Sequence, residues 1–370
     1  MGYLTRRAGL ACDRIRGALV VLASGEVVQV GECAIDRASV STDSLAPSLQ
    51  SALLWALRGG GGNYGVVVEL TLEPVSLRPK SLVKLYQYMF SKEHTREVLH
   101  ALRTVAEDPA LPDAIACYGF LLMNSVMVIL VDTGLEPVNM SDVAPAIHCH
   151  PNLLMTMNAS DISLPELNGM FDEGNPHGKG YAWSRSAFIS GSAHESSDCE
   201  CTVPNYALSD GVVEDLMQFH RNMPQPACTI EITVLGGAYG QVPPSHSPFG
   251  HRDAQYEIHA IASWMIPEHC GEMDQSSKEW TRGFTKAMSK HSSAGYLNID
   301  SRTSYERTGR SFGAESFSRL QMLKQELDPH NMFHHNANIP PSGEKEWSEW
   351  CDAFQKFPVA DDGSGKCASF

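Results

Sequence analysis

Residues 53–75, LLWALRGGGGNYGVVVELTLEPV, decide how this chain folds. Residues 51–58 read as a short helix, and residues 66–72, β-branched and then alternating, read as a strand. Between them run four glycines, Gly59 to Gly62. The spacing Gly60-x-Gly62-x-x-Gly65 satisfies the dinucleotide pattern G-x-G-x-x-G. That pattern carries its mechanism only where the glycines leave a strand and open a helix. Here the helix comes first and the strand follows. The order argues against a Rossmann nicotinamide site and leaves a loop whose bare backbone a ligand can approach closely.

Outward from this loop, the chain has 370 residues, a length that allows two domains with a core each. No apolar run approaches the roughly 20 residues that span a bilayer. The longest, 121–131, is interrupted by Asn124 and Ser125. The net charge of −15 argues against nucleic acid or an anionic membrane as partner. The first residues, MGYLTRRAGLACD, lack the apolar core of a signal peptide, and localisation stays open. Ten cysteines include no C-x-x-C pair. His148-Cys149-His150 and Cys199-Glu200-Cys201 space their donors by one residue, a poor chelate for tetrahedral zinc, so no metal is expected.

The hydrophobic pattern predicts a hairpin turning at Ser24-Gly25-Glu26, then a polar stretch over 31–50 that is either a surface loop or an unspliced intron. Further on it predicts strands over 82–90, 114–123, 126–132, 181–190, 229–235 and 256–265, with a short strand over 296–298. Helices are expected over 93–107, 165–171, 208–221, 267–291 and 314–327, and disorder over 360–370. Strands joined by hairpins or single helices, without βαβ alternation, make an α+β fold. Its sheet is mostly antiparallel, with helices on one face.

One strand carries chemistry. Period-two alternation puts Thr229, Glu231 and Thr233 on one face and Ile230, Ile232 and Val234 on the other. An acid among threonines is either solvated or lines a site; in a site, Glu231 is the general base.

The quoted stretch, with residues 2–13 as a strand and 20–28 as a hairpin before it, resembles the FAD domain of berberine bridge enzyme-like oxidases, flavoproteins of the vanillyl-alcohol oxidase group. Tyr296-Leu-Asn298, residues 319–324, Asp328-Pro-His-Asn-Met-Phe333 and Asn336-Ala-Asn-Ile-Pro340 resemble the closing segment of that family. The likeness runs in order from residue 2 to residue 341. It implies a partial PCMH-type FAD-binding domain over 1–76 and an α+β substrate domain over 77–300 whose sheet roofs the flavin. A berberine-like segment over 301–341 would return to the FAD domain, followed by a tail over 342–370.

The resemblance implies an FAD-linked oxidoreductase that passes hydride from a small molecule to flavin and then electrons to oxygen. Its context would be secondary-metabolite tailoring or oxidation of a carbohydrate or alcohol. It assigns cofactor contacts to Gly2, Asp13, Gly61, Gly62, Asn63, Tyr64, Gly65, Val66, Asn298 and Asn336, and catalysis to Glu231 and Tyr296. Many relatives follow the Asn with a basic tyrosine; Ile299 stands there. Phe249-Gly-His-Arg252 resembles the family's FPHR turn with Gly250 for proline, where His251 and Arg252 are expected to bond carbonyls. The family's smaller FAD subdomain, with the pyrophosphate loop and the residues that tether flavin covalently, would precede Met1 and is absent from these residues. The rival expectation is a flavin-free isomerase or cyclase using Glu231, or an inactive fragment.

Overall fold

The computed structural model describes residues 1–32, 45–172, 180–191, 206–265, 271–292, 294–301, 303–334 and 337–342. The chain forms two compact units. The first gathers Leu10–Val75, Val242–Arg252 and Arg302–Phe370; the second gathers Met1–Gly9, Ser76–Gln241 and Asp253–Ser301. Against a linear division at 76 and 300, residues 1–9 and 242–252 change sides.

The first unit holds a three-stranded antiparallel sheet, β1 (Ile15–Val21), β2 (Val27–Gly31) and β3 (Val66–Leu72), in the order β2-β1-β3. The β1–β2 hairpin turns at Gly25, whose φ of 82° suits glycine. The Pro47–Leu57 helix opens with proline in its first turn and buries Leu53, Trp55, Ala56 and Leu57. The edge strand β3 alternates as expected, but Val66, Val68, Leu70 and Leu72 form its exposed row. Gly313, at φ 78°, separates the Tyr305–Phe312 helix from the Ala314–Leu327 helix, and Phe312 and Phe317 stack across that break. Residues 33–44, most of the predicted polar loop, and the predicted disorder of 360–370 lie outside the described residues.

The second unit is built on seven strands: β4 (Leu82–Ser91), β5 (Ile115–Leu122), β6 (Ser125–Asp132), β7 (Leu153–Ser163), β8 (Gly180–Ser190), β9 (Thr229–Val234) and β10 (Ala254–Met265). They run β7-β4-β6-β5-β9-β10-β8, and every neighbouring pair is antiparallel. The Thr95–Ala106 helix places Val98, Leu99, Leu102 and Val105 on one stripe and buries it. With Leu216 and Phe284 from two further helices, that stripe closes on Ile230, Ile232, Ile258 and Ala260. Each such side chain contributes about 1.5–3 kcal/mol by leaving water, which fixes which face of the sheet the helices cover. The opposite face of β9 and β10 is left to their polar residues.

Three expectations are corrected. Residues 2–13 do not form a strand; they form the Thr5–Ala8 helix and a 3-10 turn over Ala11–Arg14. Residues 296–298 lead into a turn rather than forming a strand, because the Tyr296 N–H donates to the Ser186 hydroxyl and not to a sheet ladder. Strand β7 was not anticipated. It is an edge strand with Leu154, Met155 and Met157 all exposed, so its sequence has no buried face to announce.

Candidate functional site

In the second unit, cross-strand register lines up Phe120 of β5, Glu231 of β9, His259 of β10 and Ser186 of β8. The next row of the same face contains Tyr118, Thr233, Glu257 and Phe188. This is the face opposite the helices, because Ile230, Ile232 and Ile258 take the helix side. Glu231 is therefore on the face its alternation predicted.

Glu231 is not alone. His259 Nε2 lies 3.3 Å from Glu231 Oε2, and His259 Nδ1 lies 3.0 Å from Glu257 Oε2. The imidazole bridges two carboxylates. Glu257 is 1% exposed and His259 6%, whereas Glu231 is 24% exposed and is the end of the relay that solvent or substrate can reach. Burial alone would push the imidazole pKa down. The charge of Glu257 and the hydrogen bonds from both glutamates outweigh it and carry His259 up to about 10. At neutral pH the ring is an imidazolium that donates both N–H groups.

Tyrosines stand beside this relay. Arg6 is buried and donates to the carbonyls of Ile115, Leu235 and Leu111, which fixes the segment that carries Tyr3. The Tyr3 ring meets that of Tyr118 edge-on at 5.3 Å. Burial and then the Glu231 charge raise the Tyr3 pKa; burial raises Tyr118 still further, with Tyr3 and Glu231 adding to it. Both phenols stay protonated and are available as donors.

Tyr296 joins the same face from a loop. Its N–H donates to Ser186 Oγ at 2.7 Å, and its ring lies 6.2 Å from that of Phe188. Asn298 is exposed and donates its amide to Tyr296 Oη at 3.0 Å. Glu231 and Tyr296, distant in sequence, thus flank His259 and Ser186. Strand spacing puts Glu231 and Ser186, two strands apart in one row, about 10 Å from each other. His259, Glu257, Tyr3 and Tyr118 were not predicted. The signal for the first pair was present: Glu257 and His259 are two ionisable residues on one face of a predicted strand.

The glycine loop belongs to the first unit. Asn63 donates to the carbonyls of Gly60 and Ala337 and accepts from the Ile339 N–H at 2.9 Å. Tyr64 is fully buried and donates to the Leu320 carbonyl. Lys324, also fully buried, donates to the Asn63 carbonyl, the Phe333 carbonyl and Asp328. The side chains of Asn63 and Tyr64 therefore tie the loop to the C-terminal segment.

The backbone of Gly61 and Gly62 remains open to a ligand. Both residues are exposed, and a Cβ on either would meet nothing within 4 Å. Gly65 differs, since its Cβ would lie 2.6 Å from Val20 Cγ1 and from the Val21 carbonyl; it is a packing glycine. Val66 is half-exposed beside it. Asn338 presents a buried side-chain oxygen that no described group satisfies. Asn336 lies outside the described residues. An open glycine shelf, an apolar strand edge and an orphan acceptor fit one wall of a flavin site.

Asp13 is spent within the first unit. Its carboxylate accepts from Arg252 NH1 and NH2 at 2.9 and 2.5 Å and from the Leu10 N–H at 2.8 Å. Arg252 was expected to bond carbonyls; its partners include this carboxylate and the Ser247 hydroxyl. Gly250 stands in that turn because a Cβ would come within 2.7 Å of the Phe312 carbonyl. Gly2 is exposed at a turn of the second unit, where its N–H donates to Thr5 Oγ1.

Comparison with known proteins agrees with this architecture. The family described as "Berberine and berberine like" matches residues 295–340. An FAD-linked oxidoreductase of Dictyostelium discoideum is 25% identical over 92% of this chain and 66% of its own length. The (R)-6-hydroxynicotine oxidase of Paenarthrobacter nicotinovorans is 25% identical over 93% of this chain and 69% of its own. Among solved structures, the wild-type BBE-like 1 of Physcomitrella patens superposes with a TM-score of 0.71 at 18% identity, covering 92% of this chain and 68% of that one. The chain thus spans about two-thirds of the length of the relatives it matches. The glycine loop, the antiparallel sheet and the matched closing segment agree with these likenesses: the chain is similar over most of its length to berberine bridge enzyme-like FAD-linked oxidoreductases.

Proposed function

We propose that this protein oxidises a small molecule with FAD as cofactor and oxygen as final acceptor, in the tailoring of a secondary metabolite. The observation that carries the proposal is the Glu231–His259–Glu257 relay, buried at one end and open at the other, on the sheet face opposite the Thr95–Ala106 helix. When bound, FAD supplies the acceptor for the substrate's hydride. The exposed backbone of Gly61 and Gly62, with Val66 and the Asn338 amide, would hold it.

This chain's own residues manage the proton. The Glu231 carboxylate takes it from the substrate O–H or N–H as the adjacent C–H leaves as hydride. His259 donates to one Glu231 oxygen and fixes the orientation of the carboxylate, while the Thr233 hydroxyl donates to the other at 3.4 Å. Glu257 balances the imidazolium from behind, so the ring needs no counter-charge from the substrate. Tyr296, steadied by Ser186 and Asn298, is a second polar contact for a bound substrate.

The test is reconstitution. Purified protein is mixed with FAD and freed of excess, and anaerobic bleaching of the flavin band is followed with a panel of amines, alcohols and reducing sugars. Bleaching by one class, slowed by Glu231→Gln at unchanged flavin content, supports the reading. A protein that stays colourless after FAD addition, or bleaching at full rate in Glu231→Gln, rules it out.

A further inference from the structure

A polar hollow of about 500 Å³ lies wholly within the first unit. Its volume is that of an ordinary small-molecule site. It is walled by Trp55 and Arg58 at the end of the Pro47–Leu57 helix, by Ser245 and His246, and by Arg319 of the Ala314–Leu327 helix. Among the described residues, no carboxylate lines it. In a chain of net charge −15, two guanidinium groups and an imidazole without an acid between them are unusual.

The cations are held in place. Arg58 donates through Nε and NH2 to the Ile15 carbonyl at 3.1 and 2.9 Å, and its NH1 reaches only a long 3.4 Å contact with the His246 carbonyl. The Arg319 guanidinium stacks 4.2 Å over the Trp55 ring. His246 donates through Nε2 to the Asp13 carbonyl. The carboxylate of Asp13 is held by Arg252, and its charge also reaches Arg58. Trp55 is 7% exposed, and its indole N–H, a donor only, has no hydrogen-bond partner among the described residues. A buried donor without a partner costs stability that a ligand's acceptor would return.

We propose that this hollow binds the phosphoryl group of a small phosphate ester. The donors come from three separate chain segments that line one hollow. That arrangement suits the three terminal oxygens of a tetrahedral dianion better than the two of a carboxylate. The space beyond the phosphoryl group would take the organic part of the ester.

Calorimetric titration of the full chain with inorganic phosphate, phenyl phosphate and acetate tests this. Saturable one-to-one binding of both phosphates, with acetate much weaker, is expected. Arg319→Gln should weaken phosphate binding by about tenfold or more, the loss of one charge-assisted contact. Trp55→Phe keeps a ring for Arg319 and removes only the N–H, and should weaken binding several-fold. Arg282→Gln removes an equal charge from the other unit and should leave binding unchanged. Circular dichroism checks that each variant is folded. The proposal is overturned by non-saturable binding, by acetate binding as well as phosphate, or by wild-type affinity in both Arg319→Gln and Trp55→Phe. It is equally overturned if protein already saturated with FAD no longer binds phenyl phosphate, because the hollow would then hold the cofactor's own diphosphate.

Discussion

His259 Nδ1 donates to Glu257 Oε2 at 3.0 Å from within the same strand, with the two side chains 6% and 1% exposed. Residues two apart on a strand share a face, so this pairing is local; what makes it consequential is Glu231 across the ladder.

The pairing predicts an alkaline weakness. His259 keeps its proton in the folded protein until about pH 10, whereas an unfolded histidine releases it near 6.5. A pKa raised on folding gives stability that is complete below the unfolded value and disappears as pH rises through the folded one. The urea midpoint of the wild type should therefore fall between pH 7 and pH 10 by more than that of His259→Gln. Parallel curves for the two proteins would refute the assignment.

Glu257→Gln removes the partner that raises the His259 pKa most. The His259 ring resonance in an NMR titration should then move to a lower pH midpoint. Because Glu257 acts through His259, it is a positioning residue: turnover should shift in its pH profile and not vanish. Glu231→Gln should instead lower turnover by about 10²–10⁴-fold at every pH, the usual worth of a general base. Equal losses in both variants would count against a distinct role for Glu231.

Two glycines of one loop should respond oppositely. Gly65→Ala forces a methyl to within 2.6 Å of β1 backbone and Val20, and should cost about 1–3 kcal/mol in chemical denaturation. Gly62→Ala meets open space and should leave stability within about 1 kcal/mol while weakening FAD uptake, measured by retained flavin absorbance. Normal FAD retention in Gly62→Ala would remove this loop from the cofactor's contacts.

Lys324 and Asp328 form an ion pair with side chains 0% and 1% exposed, 2.5 Å apart. Lys324→Met leaves the carboxylate buried without its cation and also releases the Asn63 and Phe333 carbonyls. A cost of about 3–5 kcal/mol is expected by urea denaturation. In the double variant Lys324→Met/Asp328→Leu the cost should be smaller than the sum of the two single losses. Strict additivity would mean that the pair is not coupled.

Much of the second unit was legible in the sequence. Strand β9 alternates cleanly, because one face must meet helices and the other must not, so its residues announce both faces. The Thr95–Ala106 helix was legible for the same reason. Strand β7 was not, since an edge strand exposed on both sides of its pleat imposes no period. The turn at Tyr296–Asn298 was misread because Tyr-Leu-Asn has strand-like propensity, while its backbone is claimed by Ser186, more than a hundred residues away.

By itself the sequence carried the family resemblance, the helix–loop–strand order that argues against a Rossmann site, and the face on which Glu231 lies. These follow from local spacing and pattern. Only the tertiary structure decided what Glu231 touches, that Asn63 and Tyr64 turn inward while Gly61 and Gly62 stay open, and that Asp13 serves Arg252. Those outcomes depend on strand register and on packing between residues far apart in the chain. No local pattern encodes them, because a carboxylate or an amide has the same sequence signature whether it meets a ligand or its own fold.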